Sequence, residues 1–341
     1  MPGWSSVLEE IGKRQRDGQH AVDLIRRKYL KNLHQHTGRN VIAYYSGWLH
    51  RSPGTPNLQV GDDDMNAFMA AVHQMKRDKG LDLILHTPGG DIAATEALVK
   101  YLWTMFKKDI RVIVPQLAMS AGTMIACSSK QIVMGTHSSL GPIDPQIFGM
   151  PAQAILEEFQ LAIENIKKDP ASTPLWQQIV SRYHPSFLVE CVQAIKWSKE
   201  MVHKWLSENM FDGDADKEAA AQKIVDYLGD HATTATHARH LPLAKCEEIG
   251  LKVLKLEDDK KLQDLVLTVH HAYMHTFSLS AAIKITENHL GVATVLMGVM
   301  AQAKQQPTPG NAVVLGPAQP PAPTVTPPVV EENPPPEPAA A

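Results

Sequence analysis

The chain has few of the features that would set it apart from an ordinary globular protein. Its 341 residues hold three cysteines, Cys127, Cys191 and Cys246, far apart along the sequence. Cysteines so few and so spaced form no disulfide framework and fit a reducing compartment. The net charge is only −3 at pH 7, so no electrostatic argument favours a nucleic-acid partner or an anionic membrane. No stretch approaches the roughly 18 apolar residues that mark a transmembrane helix. The best candidate, residues 290–300, is too short to span. The first 27 residues are charged and lack the apolar core of a secretion signal. The expectation is a cytoplasmic protein without membrane attachment. No Gly-x-Gly-x-x-Gly follows an expected strand, and no cofactor is expected.

What the chain does contain is a hydrophobic share of 44%, enough for a sizeable core. Residues 1–38 read as a helical arm outside that core. Residues 39–290 read as one α/β domain, 291–304 as a connecting segment, and 305–341 as a disordered tail. The tail holds half of the 24 prolines, a composition that cannot pack. Asp62–Asp64 reads as a helix cap. Residues 257–289 read as helical throughout. His271 and His275 are spaced for one helix face, but nothing else there completes a metal site, and no metal is expected.

The informative stretch is 81–144. Strand-like Leu81–His86 runs into Thr87-Pro88-Gly89-Gly90-Asp91 and then a helical pattern from Ile92 to Phe106. Strand-like Ile110–Pro115 runs into Gln116–Met119 and a helix opening at Ser120-Ala121-Gly122-Thr123. A further strand is expected at 131–134, and helices at 152–168, 187–206 and 216–228. This alternation implies βαβ units and a largely parallel sheet, with an added helical region after residue 151. Functional loops of such folds lie beyond the carboxyl ends of the strands, where Gly89, Gly90 and Ser120 all fall. A serine there can serve as a nucleophile. Nearby backbone amides from Gly89, Gly90 and Ala121 can hold an oxyanion. The bland reading of Ser120 is a helix N-cap. His86, Thr87 and Asp91 read as residues that hold the glycine loop.

His86-Thr-Pro-Gly-Gly-Asp91 followed by Ala118-Met-Ser-Ala-Gly-Thr123 resembles the Clp-fold serine peptidases. Ser138-Ser-Leu-Gly-Pro-Ile-Asp-Pro-Gln146 narrows the resemblance to the serine dehydrogenase proteinase family. The resemblance implies a Clp/crotonase-like fold, a peptide or protein substrate and a homo-oligomer. It also implies a Ser–Asp–His order, with Asp144 orienting a later histidine. His237 and His240 lead for that histidine; His137, His184 and His203 stand behind. Asp144 has its own bland reading, a turn or capping aspartate. Two other functions remain open: a crotonase-type acyl-CoA enzyme, which needs no serine nucleophile, and a non-catalytic peptide-binding assembly protein.

Overall fold

The computed structural model describes residues 3–16, 21–230 and 236–298. The proline-rich tail expected at 305–341 lies outside the described residues. Helices α1 (Trp4–Arg16) and α2 (Ala21–Thr37) precede strand β1 (Asn40–Ser46), helix α3 (Asp64–Val72) and strand β2 (Leu81–His86). Next come α4 (Ile92–Phe106), β3 (Ile110–Val114), β4 (Leu117–Ala118), α5 (Ala121–Cys127), β5 (Gln131–Met134) and β6 (Ser139–Leu140). A hairpin of β7 (Gln146–Ile147) and β8 (Met150–Pro151) leads to α6 (Ala152–Lys168), α7 (Thr173–Val180), α8 (Phe187–Trp205) and α9 (Lys217–Leu228). The chain ends its described part with β9 (Leu241–Pro242), α10 (Leu243–Ile249), β10 (Val253–Lys255), α11 (Lys260–Leu279), β11 (Ala282–Asn288) and β12 (Ala293–Met297).

Seven strands form the main sheet, in the order β10-β5-β3-β2-β1-β11-β12. The five from β10 to β1 run parallel, and β11 and β12 add antiparallel at one side. Side chains alternate between two cores, as the two-residue strand period requires. Ile42, Tyr44, Leu83, Val112 and Ile132 face one core with α3, α4 and α5. Val41, Tyr45, Ile84, Ile113 and Ile285 face the other, with α1, α2 and α11. Both sheet faces are thus covered, which is why the strands read as near-continuous apolar runs.

Four expectations change. Val7, Ile11, Ile25, Leu30 and Leu33 are fully buried, so the N-terminal helices are part of the second core and not an arm outside it. Residues 293–297, expected as connecting chain, pair with β11 as a sheet strand. Residues 282–288, expected as helix, form β11 in the sheet interior. There Lys284 meets Asp64 at 2.8 Å, and Glu287 meets Arg26 at 2.8 Å. These pairings let charged residues stand in a buried strand. Asp64 is therefore spent on an ion pair, and the α3 start carries no side-chain cap.

Helices α6 and α8 pack around their own small core of Ala152, Ile155, Phe187 and Cys191. They make up the added helical region. No helix among the described residues is long and apolar enough to cross a membrane.

Candidate active site

Because β2 and β3 are adjacent and parallel, the loops at their carboxyl ends meet. Thr87 N–H donates to the Leu117 carbonyl at 3.1 Å, and Met119 N–H donates to the Thr87 carbonyl at 3.0 Å. Gly89 then lies against the serine turn. A Cβ on Gly89 would sit 2.6 Å from Ser120 Cβ and 2.8 Å from the Met119 carbonyl oxygen. Only glycine permits that approach.

Ser120 occupies the N-cap position of α5, but its hydroxyl makes no capping bond. Its backbone is at φ +50° and ψ −116°, a conformation that non-glycine residues rarely adopt. The turn aims the side chain into solvent-accessible space instead of back onto the helix.

A second, small sheet gathers the other candidate residues. β4 pairs in parallel with β6, and β6 pairs antiparallel with β9. Ser120 follows β4, Asp144 follows β6, and His237 precedes β9. His237 Nδ1 lies 2.7 Å from Asp144 Oδ1, joining residues 93 apart in sequence. Asp144 is 1% exposed, so its carboxylate depends on polar partners. One further side chain ties the pieces together. The buried Thr123 hydroxyl donates to the Ala118 carbonyl at 2.9 Å and accepts from Gly141 N–H at 2.8 Å. It thus links the serine turn to the segment that carries Asp144. The sequence offered a weak signal for it: one hydroxyl in the otherwise apolar run 121–127.

The glycine loop differs in one respect from expectation. Gly89 N–H is already bonded to Thr87 Oγ1 at 3.1 Å, so it is not a free donor. Gly90 pairs with Val60 as an isolated parallel bridge. Val60 N–H donates to the Gly89 carbonyl, and Asp91 N–H donates to the Val60 carbonyl. In that pattern the N–H and C=O of Gly90 face away from Val60. Neither Gly90 N–H nor Ala121 N–H makes a hydrogen bond among the described residues. Asp91 caps α4, accepting from Ala94 N–H at 2.8 Å. His86 is buried against Tyr45 and Trp48, on the opposite side of the strand from the serine.

The other histidines lie elsewhere. His240 is exposed and lines a neighbouring cleft without touching Asp144. His184 bonds Ser186, and His203 meets Glu218. His137 packs beside Gly135. His275 bonds the Trp4 carbonyl. Cys127, on the same helix as Ser120, is fully buried, and burial pushes its thiol far above the ordinary range.

Ser120, Asp144, His237 and Gly90 line one cleft of about 590 Å³. Apolar walls come from Ile92, Met124, Ile143 and Trp197. The cleft offers a hydroxyl, an imidazole held by a buried carboxylate and the Gly90 amide, and the Ala121 amide lies next in sequence to Ser120 at the start of α5. That set is suited to acyl transfer.

Residues 18–271 match the family model described as ClpP-like SDH-type serine proteinase. The uncharacterized protein MJ1495 of Methanocaldococcus jannaschii is 29% identical over 234 residues, covering 67% of this chain and 71% of its own. The uncharacterized protein MJ0137 of the same organism is 34% identical over 142 residues, covering 40% of this chain and 48% of its own. The fold, the serine turn and the breadth of the match lead to one assignment: this chain belongs to the ClpP-like SDH-type serine proteinase family.

Proposed function

We propose that the protein is a serine peptidase that cleaves peptide bonds through Ser120. In this reading His237 removes the Ser120 proton as the hydroxyl attacks the carbonyl carbon. Asp144 fixes the imidazole by accepting from Nδ1, which leaves Nε2 to face the serine. The Gly90 and Ala121 amides take the developing oxyanion, while Gly89 serves by letting the loop approach Ser120. His237 then delivers its proton to the departing amine. Water repeats the sequence on the acyl-enzyme ester. The substrate would lie extended along the free edge at Gly90.

The observation that carries this reading is the 2.7 Å contact between His237 and the buried Asp144, in the cleft that holds Ser120. It also weighs against a crotonase-type acyl-CoA reaction, which has no use for an imidazole held by a carboxylate in the cleft that a serine lines. The test is covalent labelling by a fluorophosphonate. Wild type should label at Ser120, Ser120→Ala should not, and Asp144→Ala should label far more slowly. Full labelling of Ser120→Ala sinks the proposal.

Self-association is part of the same proposal. Phe148, Leu161, Leu175 and Val189 are exposed on the β7–β8 hairpin and on α6, α7 and α8. Exposed large apolar side chains on this helical region support a contact between copies. A monomeric mass by light scattering at micromolar concentration would argue against it.

A further inference from the structure

A second cleft, of about 740 Å³, lies beside the first. The two share Pro88, Gln146, Gly149 and His237. They form one trough with the histidine where they join. Ser120, Gly90 and Asp144 line only the first. Trp48, Leu49, Leu117 and Met119 line only the second.

We infer that this second cleft receives the amine half of the substrate and selects a large apolar side chain next to the cleaved bond. The inference rests on the peptidase reading above. Its first step concerns sides. The acyl half remains bonded to Ser120 Oγ, with its oxygen at Gly90. The amine half leaves with the proton that the imidazole gives it, so it departs beside His237. A cavity that continues past His237 and is not lined by the serine is therefore on the amine side.

The second step concerns chemistry. Among the described residues lining this cleft there is no aspartate, glutamate, lysine or arginine. Its polar groups are Gln146, Thr236 and the imidazoles of His237 and His240. A charged side chain entering it would lose water without gaining an ion-pair partner. An apolar one would gain the Trp48 face and the Leu49 and Met119 side chains.

The third step concerns rigidity. Trp48 packs at a tilt against the buried His86, with ring centroids 4.3 Å apart and 34° between the planes. Just before it, Gly47 N–H donates to the Ile283 carbonyl at 2.8 Å. A Cβ on Gly47 would meet the Phe277 ring at 2.7 Å. Just after it, the Arg51 guanidinium donates to the carbonyls of Phe277 and Ser280, at 3.0 and 2.8 Å, and to that of Ala282. The tryptophan is fixed before any ligand arrives, which lowers the cost of ordering it on binding.

Acyl transfer to added amines tests this directly. An activated peptide ester acylates Ser120. An amino-acid amide then competes with water. Its nitrogen attacks the ester carbonyl, the bond to Ser120 Oγ breaks, and the amine proton passes through His237 to that oxygen. The ratio of aminolysis to hydrolysis, read by mass spectrometry within each variant, reports only on the amine side. Phenylalaninamide and leucinamide should be captured at least tenfold better than glycinamide or aspartic acid α-amide. Trp48→Ala should bring that preference to about twofold or less. Leu49→Asp should also reduce it, and Leu49 is exposed enough that folding is not at stake. Equal capture of all four amines by wild type, or an intact preference in both variants, overturns the inference and leaves the peptidase reading standing. Failure to form any acyl-enzyme on Ser120 overturns both.

Discussion

His237 Nδ1 and Asp144 Oδ1 stand 2.7 Å apart, although nothing local in the sequence brings the two together. Asp144 is held by the β6 end and by the hydrogen bond from Ile143 N–H to the Leu228 carbonyl at 2.9 Å. His237 is held by the start of β9. Under the proposed mechanism the pair acts as a unit. Asp144→Asn should lower kcat by roughly 10³–10⁴-fold with little change in KM, as loss of the orienting acid does in other serine peptidases. His237→Ala should do the same, whereas His240→Ala should stay within severalfold of wild type. Peptide hydrolysis by purified variants checks all three; an inactive His240→Ala with an active His237→Ala would reverse the assignment.

Thr123 makes two buried hydrogen bonds from one hydroxyl. Thr123→Val keeps the volume and loses both partners, leaving a buried carbonyl and amide unsatisfied. The cost should be about 2–4 kcal/mol, from ~1–2 kcal/mol for each orphaned group. Thr123→Ser should recover most of it. Urea unfolding gives the energies. The serine variant should also recover kcat more fully than the valine variant if the linkage sets the Ser120–Asp144 geometry.

Gly89→Ala places a methyl group 2.6 Å from Ser120 Cβ, at a backbone φ of +103°. Either the loop or the serine turn must shift. Fluorophosphonate labelling should fall by at least 100-fold, a larger loss than the drop in melting temperature alone would explain. Labelling at the wild-type rate would show that the loop has room the geometry does not reveal.

Burial holds His86 well below the ordinary histidine range, with repulsion from His270 and His50 added. Burial, then repulsion from His271, His137 and His50, pushes His270 down to about 3. Both rings stay neutral in the fold and take up a proton only on unfolding. Their folded pKa values are lowered, so the stability they preserve is complete above the unfolded value of about 6.5. It is lost as pH falls from there towards the folded values. Each should contribute about 1.4 kcal/mol per pH unit across that window. Urea unfolding at pH 7, 6 and 5 measures the slope. His270→Gln should make it shallower by about that amount, and an unchanged slope would contradict it.

Much of the fold was legible in the sequence where local chemistry and tertiary packing agree. β2 ends where the apolar run meets Thr87, and α4 begins where Asp91 caps it, so 81–86 and 92–106 could be read directly. α6 is bracketed by Pro151 and by Asp169-Pro170. β11 was hidden because Lys284 and Glu287 look like exposed residues, and their partners, Asp64 and Arg26, come from helices far back in the chain. α1 and α2 looked detachable because their charged faces obscure the buried stripe of Ile11, Ile25 and Leu30. At the candidate site, the glycine loop and serine turn stood out because strand ends and small residues mark them. The histidine did not. His237 and His240 lie three apart in one polar loop, and only the pairing of β6 with β9 sets one against Asp144. The occupation of the Gly89 amide by Thr87 was likewise invisible, since it depends on a rotamer.

The small sheet of β4, β6 and β9 has a consequence of its own. Its strands are two residues long, whereas β1 and β11 in the main sheet run for seven. Few ladder bonds hold Ser120, Asp144 and His237 in common register, and each can open without disturbing the seven-stranded layer. Low urea should therefore silence the protein while its far-ultraviolet dichroism is still unchanged.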